Sequence, residues 1–366
     1  MGISRFGFTP IIPLMQRDIG VTEWDTAVMA SANYLGYLIG AYISRKRWVG
    51  SHLRSWLGGG IAGSIILLLA MPLTLNTLLM SLLRLLSGFL SAVLFVAASS
   101  VTLGQGRSDR AGYLYSGVGI GIAFTGIFVP IFDAAGGWTT SWQGLALGGS
   151  AFGIVAWYSL SKVTCPGSKN PERLQASRCF VRDYQWYVLL ISYGLEGIGY
   201  IITATFIVQM IKAMPELSHI ANQSWVLIGL AAAPSTYLWA QIAKRINIKA
   251  SLMLAFGMQA LGILLPIILP NQLSTLAGGA LFGGTFMGIT SLSITLAYQL
   301  QPKAQMQAIG ELTTIYALGQ IIGPIVAAYL QSRFNILAPS IFAVAVLMLA
   351  LLVLMTLKIN KKADES

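Results

Sequence analysis

The stretch Pro339–Leu357, PSIFAVAVLMLALLVLMTL, carries no charged side chain and decides the class of fold. A helix needs roughly 20 apolar residues to cross the ~30 Å hydrocarbon layer of a membrane. Similar runs occur at Ser55–Leu73 and Leu252–Leu269, and none has the period-two alternation of a barrel strand. Because lipid offers the backbone no hydrogen bonds, we predict an all-α membrane protein.

The composition excludes an ordinary soluble fold. The chain has 366 residues, of which 55% are apolar and only 10% charged, whereas soluble domains carry about 25% charged residues. We predict twelve transmembrane helices in two six-helix bundles. The predicted spans are residues 1–16, 25–44, 55–73, 78–103, 111–132, 143–162, 186–211, 225–243, 251–269, 273–299, 309–331 and 339–357.

One long polar stretch, containing PGSKNPERLQASR, separates the two sets of six spans. It predicts that two bundles are joined by a linker rather than packed as one continuous series. The predicted units are an N-terminal bundle at 1–162, a cytoplasmic linker at 163–185, a C-terminal bundle at 186–357 and a cytoplasmic tail at 358–366.

The first predicted span is short, because residues 1–16 rise only about 24 Å as a helix. The stretch MGISRFGFTPIIPLM aligns faintly with EGIGYIITATFIVQM of the seventh span, which starts about ten residues before the shared pattern, as two homologous halves would allow. We therefore expect the first helix to be truncated. The alternative is a short, tilted or locally thinned span.

The formal net charge of the chain is +11, and its basic residues are distributed according to the predicted membrane topology. Basic residues fall in every second connection, at Arg45, Lys46, Arg47, Arg54, Arg107, Arg110, Lys162 to Arg182, Lys244, Arg245, Lys249, Lys303 and Lys358 to Lys362. The positive-inside rule makes these connections and both termini cytoplasmic, so we expect no nucleic-acid partner. Cys165 and Cys179 lie on the same side, where thiols stay reduced, and we expect no disulfide.

The chain lacks the motifs of the common enzyme classes. It contains no GxxxxGK[ST] phosphate loop, HExxH, CxxC or GxSxG pattern. His52 and His219 both fall in predicted connections. We therefore expect no enzyme activity, no metal and no cofactor, and an ion gradient rather than ATP as the source of energy.

Four ionisable residues lie inside predicted spans: Arg5, Arg84, Glu196 and Glu311. Such residues are costly in lipid and by default face the interior of the bundle or a substrate path. Arg5 shares a helix face with Thr9. Two guanidinium groups at one cavity suit a carboxylate or phosphate, which predicts an anionic substrate. In the alternative both are structural, and Arg84 binds backbone carbonyls of a neighbouring helix.

Glu196 begins a polar face that continues through Tyr200 and Thr203. Burial favours the protonated form of a carboxyl group, which suits a proton carrier. The alternatives are a gate formed with an arginine across the cavity, or a purely structural pair. For Glu311 we predict capping of the start of span 11 or pairing with Arg45.

Glycines spaced for close helix contact recur in spans 5 and 11. They are Gly117, Gly121 and Gly126 in span 5, and Gly319 and Gly323 in span 11. Pro130 and Pro324 predict bends, because each removes a helix hydrogen bond. Packing alone explains the pattern, although smooth seams also allow two bundles to move past each other.

The chain resembles the major facilitator superfamily, and within it the bacterial YbfB/YjiJ-type branch, over nearly its whole length. The resemblance is carried by GISRFGFTPIIPLMQ, ASANYLGYLIGAYIS, RLLSG, YGLEGIGYIITATF and LTTIYALGQIIGP. It implies the major facilitator fold, multi-pass in the cytoplasmic (inner) membrane of a bacterium. It also implies a central cavity lined by spans 1, 4, 7 and 10, of which the first three carry Arg5, Arg84 and Glu196.

Individual motifs resemble those of the superfamily to different degrees. RLLSG is similar to its span-4 motif and maps onto Arg84 and Gly88. GIAFTGIFVP resembles the span-5 antiporter motif without its adjacent Gly-Pro pair, which weakens an export assignment. Ser44 stands where the superfamily usually has Asp, so we expect Glu311 with Arg45 to replace the usual contact.

These observations predict a secondary active transporter that moves a small anionic or amphipathic organic solute by alternating access. We expect it to be proton-coupled and monomeric in membrane lipid, with export slightly preferred to import. The expected substrate-binding residues are Arg5, Thr9, Arg84, Tyr200 and Thr203. The alternatives are a proton symporter that imports an organic anion, and a ligand sensor with a transporter fold that moves nothing.

Overall fold

The structure is a computed structural model that describes residues 2–44, 53–104, 111–161, 180–302 and 304–358. Across these ranges the regular secondary structure is helical and contains no strand. The helices are α1 (Gly2–Phe6), α2 (Phe8–Ile19), α3 (Glu23–Ile43), α4 (Leu53–Ala70), α5 (Thr77–Gly104), α6 (Ala111–Ser161), α7 (Tyr184–Lys212), α8 (Ala221–Ile246), α9 (Ile248–Ile268), α10 (Gln272–Leu300), α11 (Gln305–Arg333) and α12 (Ala338–Met355). Short 3₁₀ turns lie at Met71–Leu73 and Ser218–Ile220.

The prediction of an all-α membrane protein is confirmed. In the ranges that the structure describes, nine helical stretches are long and apolar enough to cross a membrane. One of them lies in α6, which contains a non-helical break at Gly136 and Gly137. Gly137 has φ of 74°, a conformation that glycine adopts without strain. The break divides α6 into two arms and replaces the longer connection predicted at residues 133–142.

The first predicted span is divided into α1 and α2 at Gly7. Pro10 has no amide hydrogen for the carbonyl of Phe6, so the helical hydrogen-bond pattern is interrupted at this turn. The second part, α2, continues to Ile19 and ends at Gly20, whose φ of 67° gives a left-handed cap. The span therefore contains a break that the apolar pattern did not indicate.

Among the described residues, the main contacts between the first and second halves of the chain are those of α2 with α7, α3 with α11, and α6 with α8. Gly126 belongs to the last pair, since a methyl group there would lie 2.8 Å from the backbone nitrogen of Val226. The close approach of α6 and α8 thus depends on a residue without a side chain.

Other predicted contact glycines pack inside one half. A methyl group on Gly121 would lie 2.6 Å from the Cα of Gly2, and one on Gly319 would lie 2.5 Å from the carbonyl of Gly194. Gly323 packs against Ile201 in the same way. Gly117 differs, because a methyl group there would meet no atom within 4 Å. Its spacing fits the pattern, but its position on the helix faces open space.

Pro130 lies inside the first arm of α6, and Pro324 lies inside α11. Each is therefore in a helix of an interface between the two halves, α6 with α8 and α11 with α3. The helices continue through both residues. Their role in bending or movement stays a prediction.

Candidate functional site

Arg5 is the centre of the candidate site, and it is buried between the two halves of the chain. Its side chain is 6% exposed. Its Nη2 donates to Oε1 of Gln320 on α11 at 2.9 Å. The guanidinium group lies 4.3 Å from the ring centroid of Tyr37 and 4.9 Å from that of Tyr34, both on α3. Rings and a neutral amide thus surround this cation.

The charge of Arg5 has no acidic partner in the part of the chain that the structure describes. The ion pairs formed there join Arg17 to Asp18 and Asp133, and Arg182 to Glu311. The Nε of Arg5 is also buried without a hydrogen-bond acceptor among those residues. A buried guanidinium group with an unused donor can bind a carboxylate or phosphate strongly, because both are planar or multidentate anions.

Arg84 has a different environment. Its Nη1 donates to the carbonyl of Ser4 at 3.0 Å and its Nη2 to the carbonyl of Arg5 at 3.2 Å. These carbonyls lie at the C-terminal end of α1, where a positive charge is favourable. The guanidinium group also lies 4.5 Å from the ring centroid of Phe8. The geometry favours the structural alternative for Arg84, in which it holds the first helix.

The remaining predicted substrate residues are Thr9, Tyr200 and Thr203. The hydroxyl of Thr9 donates to the carbonyl of Ala204 at 2.8 Å and joins α2 to α7. The hydroxyl of Thr203 is buried and has no hydrogen-bond partner in the described residues. The ring of Tyr200 stacks on Phe286, with centroids 5.1 Å apart. Thr203 therefore offers a buried polar group that is unused in the described residues.

Tyr200 belongs to a wall of nearly parallel rings contributed by α7, α10 and α11. Tyr193 and Tyr316 are 4.4 Å apart at 12°, and Tyr200 lies 6.2 Å from Tyr316 at 17°. Phe282 and Phe286 extend the stack beyond Tyr200. Stacked rings offer a flat apolar surface that suits a planar or hydrophobic group.

Tyr34, Tyr37, Tyr316 and Gln320 were not predicted as site residues. Charge inside a span is the signal that marks a candidate in the sequence, and these neutral side chains carry none. One signal was available, since Tyr316 and Gln320 are four residues apart in LTTIYALGQIIGP and must share a helix face. Their meeting with Arg5 follows from the packing of α3 and α11, which the sequence does not specify.

Glu196 is fully buried and faces its own half of the chain. The amide of Gln259, on α9, donates to its Oε1 at 3.4 Å, and Tyr316 lies beside it. Its Oε2 has no hydrogen-bond partner among the described residues. Neither Arg5 nor Arg84 pairs with it in that part of the chain. The predicted gate between Glu196 and an arginine is thus not formed here.

Glu311 lies in the second turn of α11, which begins at Gln305, so it does not cap that helix. Its carboxylate pairs with Arg182 at 2.5 Å and accepts from Nε1 of Trp186 at 3.2 Å. The carboxylate raises the pKa of the Arg182 guanidinium. Arg45, the partner predicted for Glu311, lies outside the described residues.

The end of the predicted linker is fastened to the second half of the chain. The backbone nitrogen of Val181 donates to Oε1 of Gln301 at 3.2 Å, and Nε2 of Gln301 donates back to the carbonyl of Val181. Asp183 then caps α7 by accepting from the amide of Trp186 at 2.9 Å. The start of α7 is therefore held by the Val181–Gln301 hydrogen bonds just before it and by the Asp183 cap on its first turn.

A charged cluster joins the C-terminal end of α2 to the part of α6 beside its break. Arg17 pairs with Asp18 at 2.6 Å and with Asp133 at 2.7 Å. Asp18 also accepts from the backbone nitrogen of Trp138 at 3.1 Å. The hydrogen bond from Arg17 lowers the pKa of Asp18, and the two carboxylates raise the pKa of Arg17. Sequence reasoning missed this cluster because Arg17 was assigned to a connection.

The described residues contain no group of His, Cys, Asp and Glu side chains arranged to hold a metal ion. The site that they form is instead an arginine, an aromatic wall and a buried carboxyl group. Chemically, such an arrangement can bind an organic anion and carry a proton.

Comparison with known proteins identifies similar transporters. The profile of the family described as "Uncharacterised MFS-type transporter YbfB" matches residues 1–355. The chain is 26% identical over 175 residues to the dehydrocurvularin exporter of Alternaria cinerariae, covering 47% of this chain and 29% of that protein. It is 26% identical over 153 residues to the MFS-type transporter GME11371 of Pestalotiopsis microspora, covering 42% and 28%. Each match spans less than a third of the relative's length.

A solved structure has the same fold. A mutant of the nucleoside transporter NupG superposes with a TM-score of 0.72, covering 97% of this chain and 98% of its own, at 14% sequence identity. At this identity the likeness establishes the fold and carries no information on substrate.

Proposed function

The chain belongs to the YbfB-type family of major facilitator transporters, and from this premise we propose that it moves a small organic anion by secondary active transport. The two halves alternate access to a site centred on Arg5. The observation that carries the proposal is the buried guanidinium group of Arg5, which bridges the halves through Gln320 and has no acidic partner among the described residues.

The proposed substrate is anionic or amphipathic because of what surrounds Arg5. Its positive charge, desolvated among protein atoms, needs a counter-charge, and the unused Nε supplies a donor for one. Tyr200, Thr203 and Tyr316 supply stacking surface and a hydroxyl group in the opposite half. Thr9 contributes to the junction between halves through Ala204 rather than through a free donor.

Coupling to protons is proposed through Glu196. A carboxyl group that is fully buried and held by a single amide at 3.4 Å is stable when protonated and costly when ionised. Opening the second half to water would let it exchange that proton. The pair of Glu311 with Arg182 serves as a cytoplasmic contact that tightens or releases with the linker end.

We propose twelve membrane crossings, with both termini in the cytoplasm and the protein in a bacterial inner membrane. The two arms of α6 account for two crossings, α1 with α2 for one, and α3 for another. We propose the bundles at 1–162 and 186–357, which are in contact through three helix pairs of the described residues. The transporter works as a monomer in this proposal.

Export is the proposed direction, and one relative with 26% identity is named an exporter. The alternative direction is import, in which the same site would bind an organic anion outside and carry it inwards together with protons. A sensor that binds a ligand without moving it is the alternative from a different class of function. The contacts of Thr9 with Ala204 and of Tyr34 with Thr205 argue against it. These bonds join the halves through single hydroxyl groups, which can be exchanged during movement.

Counterflow of organic anions in proteoliposomes tests the proposal. The purified protein is reconstituted and supplied with a labelled benzoate or laurate probe, with and without an imposed pH gradient. We expect counterflow without a gradient and accumulation with one, and loss of both in Arg5→Gln. Binding without counterflow would identify a sensor, and accumulation that ignores the pH gradient would remove the proton from the proposal.

A further inference from the structure

The ends of α3 and α11 that the charge pattern assigns to the cytoplasm diverge around a cleft of about 850 Å³. Its walls and mouth include Leu38, Ile39, Leu190, Glu311, Ile315 and Leu318. Ile39 is 40% exposed and Leu318 is 42% exposed, although both are large apolar side chains. Such surface is stable in contact with lipid, so the cleft opens sideways towards the membrane.

The same two helices are closed along the other half of their length. Ser31 of α3 donates to the carbonyl of Ile321 of α11 at 2.8 Å. Near the opposite helix ends, the amide of Gln331 donates to Glu23 at 3.5 Å. The pair therefore forms a V that is joined on one side of the membrane and open on the other.

The corresponding seam between α6 and α8 has no such opening where its contacts are described. A methyl group on Gly119, near the start of α6, would lie 2.6 Å from the carbonyl of Gly229. Further along, Nε1 of Trp225 donates to the hydroxyl of Thr125 at 3.0 Å. Backbone contact between Gly119 and Gly229 therefore closes this seam.

The cleft leads towards Arg5. Leu38 and Ile315 line it. The chain neighbour of Leu38 is Tyr37, whose ring centroid lies 4.3 Å from the guanidinium group of Arg5. The chain neighbour of Ile315 is Tyr316, one helical turn before Gln320, the hydrogen-bond partner of Arg5. Tyr37 and Tyr316 are each partly exposed rather than buried. The segments that line the cleft therefore continue directly into the surroundings of the buried cation.

We propose that this cleft is an entrance from the lipid, through which an amphipathic organic anion in the cytoplasmic leaflet reaches Arg5. The inference rests on the proposed function and adds a substrate class and a route. An apolar tail that moves from the bilayer to the walls of Leu38, Ile315 and Leu318 stays in apolar surroundings. The anionic head passes Glu311, whose charge is balanced by Arg182 at 2.5 Å, and ends at Arg5.

The depth of the cleft fits this occupant. Leu318 lies thirteen residues from the start of α11 at Gln305, about 20 Å along the helix axis. This distance exceeds half of the ~30 Å hydrocarbon layer, so the cleft spans the depth that an inner-leaflet chain occupies. A small hydrophilic anion would have no reason to use apolar walls at that depth.

Photolabelling in vesicles tests the entrance without requiring transport. The protein is reconstituted in phosphatidylcholine vesicles with a laurate probe that carries a diazirine on its chain, and the labelled peptides are identified by mass spectrometry. We expect labelling concentrated on the facing segments 35–43 and 307–318, with competition by excess laurate. The variants Ile39→Trp and Leu318→Trp should reduce this labelling to background, whereas Leu230→Trp, on the lipid-exposed surface of α8, should leave it unchanged.

Counterflow with two probes separates the entrance from the proposed function. In Leu318→Trp we expect laurate counterflow to be lost while benzoate counterflow remains. Labelling spread evenly over lipid-facing residues, or equal labelling by a diazirine phospholipid, would overturn the entrance and leave the transporter proposal intact. Wild-type protein that moves neither probe, yet is labelled in the cleft, would count against the transporter proposal alone.

Discussion

The guanidinium group of Arg84 donates a hydrogen bond to the backbone carbonyl of Arg5 across 3.2 Å. The two arginines thus act in series, since Arg84 holds the helix end from which the side chain of Arg5 extends. This arrangement assigns different consequences to the loss of each.

Replacing Arg84 should damage the fold before it affects binding. Arg84→Gln loses charged hydrogen bonds to Ser4 and Arg5, each worth about 1.5–3 kcal/mol, so we expect the free energy of unfolding to fall by roughly 3 kcal/mol or more. Thermal unfolding in detergent measures the change. A folded Arg84→Gln protein of wild-type stability that has lost ligand binding would show that Arg84 contacts substrate.

Replacing Arg5 should do the reverse. Arg5→Gln removes one charged hydrogen bond, to Gln320, and a buried cation without an acidic partner in the described residues, so we expect a smaller loss of stability than in Arg84→Gln and loss of binding of anionic probes. Arg5→Lys should recover part of the affinity, because it keeps the charge but not the fork of donors. Isothermal titration with each variant measures this. Unchanged affinity in Arg5→Gln would exclude it from the site.

Replacing Glu196 should separate exchange from proton coupling. Glu196→Gln keeps the size and a hydrogen bond to Gln259 but cannot carry a proton. We expect counterflow to continue while accumulation driven by a pH gradient disappears. Glu311→Gln is the matched control, because its carboxylate pairs with Arg182 near the helix start and should leave the pH dependence in place. A Glu196→Gln protein that still accumulates substrate would assign the proton to another group.

The glycines give a prediction with an internal control. A methyl group on Gly319 would lie 2.5 Å from the carbonyl of Gly194, so Gly319→Ala must separate α7 from α11 and should cost roughly 1–3 kcal/mol of stability. Gly117→Ala meets no atom within 4 Å, and it should be neutral or stabilise α6 by up to about 1 kcal/mol. Thermal unfolding of both proteins decides the matter. Equal effects would mean that α7 and α11 can adjust freely.

The charged cluster of Arg17, Asp18 and Asp133 predicts that the stability of the protein depends on pH under acidic conditions. Arg17 lowers the pKa of Asp18 below its ordinary value of 3.8. A carboxyl group of this kind stabilises the folded state above its unfolded pKa, and the contribution is lost as the pH falls through the lower folded value. The wild-type unfolding temperature should therefore fall more steeply below pH 3.8 than that of Asp18→Asn.

The effect at Asp18 should be small, because Arg17 is 56% exposed and solvent screens the pair. Glu216→Gln, an exposed substitution outside the cluster, is the control. Its unfolding temperature should depend on pH in the same way as that of the wild type. Identical slopes for wild type and Asp18→Asn would show that the pair contributes nothing measurable.

The helical fold could be predicted from sequence because membrane-length apolar runs allow few other structures. The roles of the arginines could not. Arg5 and Arg84 carry the same group, and their tertiary contacts distinguish them, Arg84 with Ser4 and Arg5 with Gln320. Charge identified both as candidates, whereas helix packing decided what each one binds.

Helix-face patterns also predicted too much and too little. Gly117 has the spacing of a contact residue but lies on a face without a neighbour. Tyr37 and Gln320 are neutral residues on separate helices, and nothing in either segment indicates that they meet at Arg5. The break at Gly7 could have been found, since Pro10 removes the hydrogen bond to Phe6, but an apolar scan ignores that signal.

The clasp between Val181 and Gln301 changes what the linker is needed for. Two reciprocal hydrogen bonds fix the start of α7 to the end of α10, so the position of that helix does not depend on tension in the preceding chain. We therefore expect the linker to act mainly by raising the effective concentration of one half around the other. Two separately translated polypeptides, divided within that segment, should therefore still assemble into a working pair.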